Sequence, residues 1–408
     1  MYRYNDKKIN GHYIYLDDSR NPILLPCLFA RFTQRSQLRI DEHNTVDYET
    51  KLKVEEFNLK EIGQSASYKI CNHLGRFLEW IEGYNENSLV SLSKHTALPD
   101  EVINEYVNEF LIDECSKSEA VANQAVNSLT AYYDWLFFFF KTRKKRIGIK
   151  SAFRAAARNN NKSELAIKYL LPQTRELLYR ESSSLLEEIV LRNGGELGCR
   201  TRENQGFLLH DYRANKKNYS GLLTLFKQFH STPNKPYFEY HLSSLYTKYG
   251  RARTLYIPRY LLEKMMLYYN TERPSSSSNH LLVSSSFNDS RGQCIARSFG
   301  SDTFLKAKKK LLHKCEIAPW RYSHIQKVLE ANTYHHLRHS FGTDLFYELC
   351  EGQNKNYESI TTASAVYLET ARRLGHKVDS ISANSVTKTY IHSCGYREKL
   401  LRETVNYD

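Results

Sequence analysis

The sequence predicts a mainly α-helical protein with a small antiparallel sheet, an α+β fold spread over more than one domain. Three observations carry that expectation. Apolar residues recur at helical spacing through residues 67–140 and again from about Leu261 onward. Two β-rich stretches, Tyr237 to Ser243 and Thr254 to Ile257, flank a turn and read as a hairpin. The net charge changes sign part-way along the chain, which marks a change of domain. The chain has 408 residues, enough for two or three domains and a full core without disulfides or metal.

Taken in order, residues 11–27 predict two short strands around the turn-rich Asp17–Pro22. Residues 29–40 predict a helix with Arg31, Arg35 and Arg39 on one face. Ser67 to Gly83 forms a second helix, with Ile70, Leu74, Phe77, Leu78 and Ile81 on its apolar side. Asp100 stands where an N-cap belongs, before a stripe of Val102, Ile103, Tyr106, Val107, Phe110 and Leu111. A further helix runs from about Val121 to Phe140, so residues 55–140 read as all-helical. Pro172 and Thr174 open a long helix through Ile189, and the serine runs 275–278 and 284–286 mark loops.

Composition excludes several classes. Hydrophobic residues are 41% and charged residues 25%, which rules out a globally disordered chain. The longest aromatic run, Trp135 to Phe140, stops at Lys141, far short of the roughly 20 apolar residues a membrane helix needs. Arg3, Asp6, Lys7 and Lys8 precede no apolar core, so no signal peptide is expected. The eight cysteines stand singly with no C-x-x-C, against a zinc ribbon or a disulfide framework. These features predict a soluble, cytoplasmic protein with no membrane partner.

The formal charge of +13 is unevenly placed. Residues 1–140 hold 14 Lys+Arg and 21 Asp+Glu, a net −7; residues 141–408 hold 44 and 24, a net +20. The change falls at Lys141–Lys150, which has six cations in ten residues. Lys141, Arg143, Lys144, Lys145 and Arg146 are therefore candidate phosphate-backbone contacts, beside the alternative of a solvated face.

Three separated motifs carry the chemistry. Gly198, Arg200 and Glu203 form G-x-R-x-x-E; His335-His336-Leu337-Arg338-His339 forms H-x-L-R-H; Leu374-Gly375-His376 precedes Thr387-Lys388-Thr389-Tyr390-Ile391-His392. Singly, each has an ordinary explanation: a surface ion pair, a helix with satisfied histidines, a helix ending at glycine. A metal site on His335 and His339 lacks the glutamate of H-E-x-x-H and a third ligand.

Together and in this order the motifs resemble those of the tyrosine recombinase, or phage integrase, family. Thr247-Lys248-Tyr249-Gly250-Arg251-Ala252-Arg253, followed by Ile257-Pro258, is similar to that family's lysine hairpin. The resemblance covers about residues 166–400, with a looser likeness upstream. It implies an N-terminal extension (1–50), a helical, SAM-like core-binding domain (51–150), a linker (151–165) and a catalytic domain (166–408). It also implies a site-specific recombinase of a mobile element, acting as a homo-tetramer on two sites in double-stranded DNA, without metal or cofactor.

The implied catalytic set is Arg200, Lys248, His335, Arg338, His376 and Tyr390. Two guanidiniums can fork onto the non-bridging oxygens of a phosphodiester, a geometry that lysine cannot offer. Tyr390, a phenol with an ordinary pKa of about 10, needs a base. The resemblance gives that role to His335, gives His376 a phosphate oxygen, and makes Lys248 the acid for the departing 5′-oxygen. Attack would leave a 3′-phosphotyrosyl link that another hydroxyl can reverse. Tyr396 is a rival nucleophile, and Arg251 and Arg253 are rivals to Lys248. The stretch from Arg338 to His376 is longer than usual for the family, and residues 350–359 read as an inserted loop. The tail from Tyr396 is expected to dock on a neighbouring protomer. Three alternatives stand beside this one: a type IB topoisomerase-like enzyme, an inactive DNA-binding protein, and a metal nuclease using His335, His336 and His339.

Overall fold

The computed structural model describes residues 2–5, 12–46, 53–84, 90–160, 169–214, 216–361, 363–376 and 393–402. The chain divides into two compact units, residues 1–165 and 166–408. No helix among the described residues is long and apolar enough to cross a membrane.

The first unit combines two hairpins with helices. β1 (Tyr2–Asn5) pairs with β2 (Tyr13–Leu16), and β3 (Leu38–Val46) pairs with β4 (Lys53–Glu61), both antiparallel. The helices are α1 (Leu24–Arg35), α2 (Gln64–Gly83), α3 (Asp100–Glu105), α4 (Glu119–Phe140) and α5 (Ser151–Asn159). α3 runs on as a π-helical stretch, Tyr106–Glu114. The apolar stripe predicted for α2 is buried, and it meets Leu129, Tyr132 and Leu136 of α4. Phe29 of α1 lies edge-on to Tyr132 and Trp135, so the aromatic end of α4 is in part core. Phe138, Phe139 and Phe140 remain exposed.

Several expectations change here. The second strand of residues 11–27 is replaced by α1. The helix over 29–40 ends at Arg35, and Arg39 lies in β3, paired with Asp41 at 2.6 Å, so no three-arginine face forms. Gln37 takes a left-handed φ of 55°, which turns the chain between helix and strand. Asp100 is the first helical residue and Pro99 the N-cap. Residues 1–50 do not stand apart: Tyr13, Tyr15, Phe29 and Ile40 share the core of α2 and α4. The linker expected over 151–165 opens with α5, whose Ala157 packs on Ile112 and Ala122.

The second unit contains α6 (Pro172–Arg180), α7 (Leu185–Glu196), β5 (Tyr212–Ala214), β6 (Lys217–Tyr219), α8 (Leu222–Ser231), β7 (Tyr237–Leu242), β8 (Arg253–Pro258), α9 (Arg259–Thr271), α10 (Phe299–Ile317), α11 (Tyr334–Gly352), α12 (Ala365–Leu374) and α13 (393–402). The long helix expected from Pro172 is two. Ser184 restarts it, its hydroxyl accepting from the Glu187 amide, as serine does at an N-cap. β7 and β8 form the expected antiparallel hairpin, from Tyr237 opposite Pro258 to Leu242 opposite Arg253. α7, α9, α10 and the hairpin enclose one core that includes Ile189, Phe238, Tyr240, Ile257, Leu261, Phe304 and Leu337. α13 packs within its own unit: Cys394 is buried with Phe346 and Tyr367, and Arg397 meets Asp344 at 3.2 Å.

Candidate functional site

The site starts at Gly198. Its φ of +61° is left-handed, and a Cβ there would lie 2.5 Å from Cδ1 of Phe341, so only glycine brings this loop against α11. Two residues on, Arg200 begins the 3₁₀ turn Thr201–Gly206. The three-residue spacing to Glu203 lets that side chain fold back on the turn. Glu203 Oε2 accepts from the Arg200 amide at 2.9 Å, and Oε1 accepts from Arg200 Nη1 at 2.7 Å.

Glu203 is the centre of the cluster, with its side chain 1% exposed. Arg253 Nη2 donates to Oε2 at 2.8 Å, and Arg338 Nη1 lies 3.6 Å from the same oxygen. Burial alone would raise the carboxyl, but Arg253, Arg338 and Arg200 overcome it and hold the group down at about 2. Three guanidiniums thus share one ionised carboxylate, and the four groups keep a surplus of positive charge. A buried guanidinium without such a partner would carry a severe desolvation cost.

Arg338 enters from the first turns of α11, whose N-terminus is closed by Thr333 and the ring of His336. It donates to the carbonyls of Gly198 and Leu374 and lies 3.3 Å from His376 Nε2. α12 ends at Gly375, which is left-handed (φ +65°) and turns the chain so that His376 reaches the cluster. Burial, and then the charges of Arg338, Arg200 and Arg253, push the His376 imidazole down to about 3. The ring is therefore neutral near pH 7 and accepts through Nε2. Its Nδ1 is buried with no hydrogen-bond partner among the described residues.

Of the six residues expected from the sequence, the fold brings Arg200, Arg338 and His376 together. His335 is exposed on α11, its ring 4.6 Å from that of His339, and close enough for its charge to act on His376. Lys248 is exposed in the connection between β7 and β8. Tyr390 lies outside the described residues. Among the described residues no group of three or more His, Cys, Asp or Glu could hold a metal ion.

The candidate cationic run is tied down in the first unit. Asp100, Asn104 and Asn108 stand at i, i+4 and i+8 along α3 and its continuation. They accept from the amides of Arg146, Gly148 and Lys150 at 3.2, 2.9 and 2.8 Å. The amides of Asn104 and Asn108 donate back to the carbonyls of Arg146 and Gly148. Four residues of helix rise about 6 Å and two of extended chain about 6.6 Å, so the two ladders match. Lys145 is buried and donates to the Leu98 carbonyl at 2.6 Å; Lys144 pairs with Glu42 at 2.6 Å. Lys141, Arg143 and Arg146 are exposed. Two of the five cations proposed as phosphate contacts are thus engaged inside the protein.

The sequence placed Glu203 only as a letter of its motif and Arg253 only as a rival to Lys248, and it did not bring the two together. The signal for Arg253 was present: Arg253, Leu255 and Ile257 alternate with Thr254, Tyr256 and Pro258, and β8 buries that first set. An arginine in the apolar parity of a strand needs a buried acceptor.

No protein-family model matches the sequence, and no curated protein matches it. Among solved structures the chain is similar to the Tn1549 transposon integrase in complex with transposon right-end DNA. That match has 13% identity and a TM-score of 0.46, and covers 93% of this chain and 99% of that one. The XerH site-specific recombinase bound to its difH substrate is similar at 12% identity and a TM-score of 0.45, over 90% of each chain. The XerA recombinase is similar at 15% identity and a TM-score of 0.34, over 85% of this chain and 92% of that one.

Proposed function

We propose that this chain is a tyrosine recombinase, an enzyme that cleaves and rejoins DNA strands through a 3′-phosphotyrosyl intermediate, in the service of a mobile element. The observation that carries the reading is the convergence of Arg200 and Arg338 on the buried Glu203, with His376 against Arg338, three motifs far apart in sequence gathered at one point. The positive surplus there suits a phosphodiester, whose transition state gains negative charge as a nucleophile adds. Arg200 and Arg338 would take the non-bridging oxygens. Neutral His376 would act as a hydrogen-bonding group rather than as a charge.

In this reading Tyr390 attacks phosphorus and His335, exposed beside the cluster, takes its proton. Lys248 gives a proton to the leaving 5′-oxygen. The P–O bond to tyrosine replaces the P–O bond to the 5′-oxygen, so the step is reversible by another 5′-hydroxyl and needs no nucleotide or metal. The partners are double-stranded DNA and three further copies of the chain.

The test uses a duplex selected by this chain from a randomised pool, nicked near its centre so that cleavage releases a short strand and traps the adduct. Wild-type protein should give a covalent protein–DNA band on a denaturing gel, and Tyr390→Phe should give none. An adduct formed by Tyr390→Phe would remove Tyr390 from the nucleophile's role. Absence of an adduct with wild type would overturn the reading.

A further inference from the structure

Arg253 is the most deeply committed cation of the cluster, its side chain 2% exposed. Its guanidinium donates to the carbonyls of Leu197 (3.3 Å), Gly198 (3.1 Å) and Arg373, and to Glu203 Oε2. Leu197 and Gly198 belong to the loop that delivers Arg200. Arg373 precedes the turn through Gly375 to His376. The Arg253 Cδ also lies where a Cβ on Gly375 would come within 3.1 Å, so the side chain fills the space that this glycine leaves open. One planar fork therefore joins both loops of the site to the first residue of β8. The connection that leads from β7 into that residue carries Lys248.

We propose that Arg253 is a positioning residue of the reaction: it clamps the Arg200 loop to the His376 loop and holds Glu203 between Arg200 and Arg338. This rests on the reading of the site given above. Without the fork, Glu203 has two guanidiniums left. Arg338, already 3.6 Å away, is the one with room to close on it, leaving the Gly198 and Leu374 carbonyls that now set its direction. Lysine keeps the charge beside Glu203 but is a point donor, and cannot span carbonyls on two loops. Arg253→Lys therefore separates clamping from simple charge.

The experiment measures single-turnover adduct formation on the nicked, selected duplex, with either an ordinary scissile phosphate or a methylphosphonate. The methylphosphonate lacks the charged non-bridging oxygen, so alignment of Arg200 and Arg338 matters less to it. Arg253→Lys should bind DNA as wild type does and cleave the phosphate more slowly by about 10²-fold, the scale of a small misplacement. On the methylphosphonate its deficit should shrink several-fold. Glu203→Gln, nearly the same shape, serves as a second variant should Arg253→Lys melt early, and should show the same dependence on substrate. Equal activity of Arg253→Lys and wild type, or one deficit on both substrates, would overturn the role of Arg253. Failure of wild type to form any adduct would instead defeat the reading of the site.

Discussion

Residues 141–150 put six cations into ten consecutive positions, whereas Arg200, Arg253 and Arg338 come from three distant parts of the chain. The dense run is the more conspicuous in sequence, yet its backbone is strung along α3 by Asp100, Asn104 and Asn108, and Lys144 and Lys145 are turned to internal acceptors. The dispersed arginines meet at one carboxylate, which leaves a concentrated positive site with fixed geometry. The difference teaches that charge density along a chain does not measure charge available to a ligand. What decides it is how many acceptors the fold supplies to each cation.

The largest expected effect breaks the comparison at its reactive end. Arg338→Ala or Arg200→Ala should reduce adduct formation by about 10²–10³-fold, the usual loss for one donor that stabilises developing charge. Neutralising Lys141, Arg143 and Arg146 together should leave the chemical step unchanged on bound DNA. It should flatten the dependence of DNA affinity on salt, by a slope of about 0.9 for each phosphate no longer neutralised. Equal cleavage rates for the two sets of variants would erase the distinction between the regions.

A middle-sized effect concerns the asparagine ladder. Asn104→Ala removes one acceptor and one donor from the segment 146–148. Each hydrogen bond of this kind contributes about 1 kcal/mol, so the variant should lose roughly 1–2 kcal/mol in urea unfolding. Asn108→Ala should cost a similar amount. Wild-type stability in both would mean that the cationic segment is held by its apolar side chains, Ile147 and Ile149, rather than by the ladder.

Legibility in the sequence followed local chemistry. The apolar stripe of α2 and the alternation of β7 and β8 were readable because burial repeats with the period of the element. α1 was misread because Leu24 to Cys27 looks β-rich in isolation, while its helix is stabilised by Phe29 and Ala30 packing on residues a hundred positions away. Arg200, Arg338 and His376 were legible through their motifs. Glu203 stood in a motif and Arg253 in the buried parity of β8, but their pairing was not legible, because a meeting across fifty residues leaves no periodic trace. The ladder escaped for the opposite reason: Asp100, Asn104 and Asn108 carry the spacing of an ordinary solvated helix face.

A last test asks whether the reactive cluster, unlike the cationic run, is pH-sensitive. His376 is depressed to about 3 in the folded chain against about 6.5 when unfolded. Between those values the unfolded chain binds the proton and the folded chain does not. The group's contribution to stability is therefore complete above pH 6.5 and is lost as pH falls toward 3. Glu203, held near 2 against 4.5, adds a loss of the same sign in the lower window, below pH 4.5. His73, His95 and His241 are also lowered by burial, so the whole-protein slope is shared among several groups. The difference between wild type and His376→Gln isolates one of them. Wild type should lose stability relative to His376→Gln as urea unfolding is followed from pH 6.5 to 4.5, whereas Lys141→Gln should track wild type throughout. A flat difference curve for His376→Gln would mean that the imidazole takes up its proton in the folded chain without leaving Arg338. The cluster would then tolerate a further positive charge, against the crowding of guanidiniums that sets it apart from the run at 141–150.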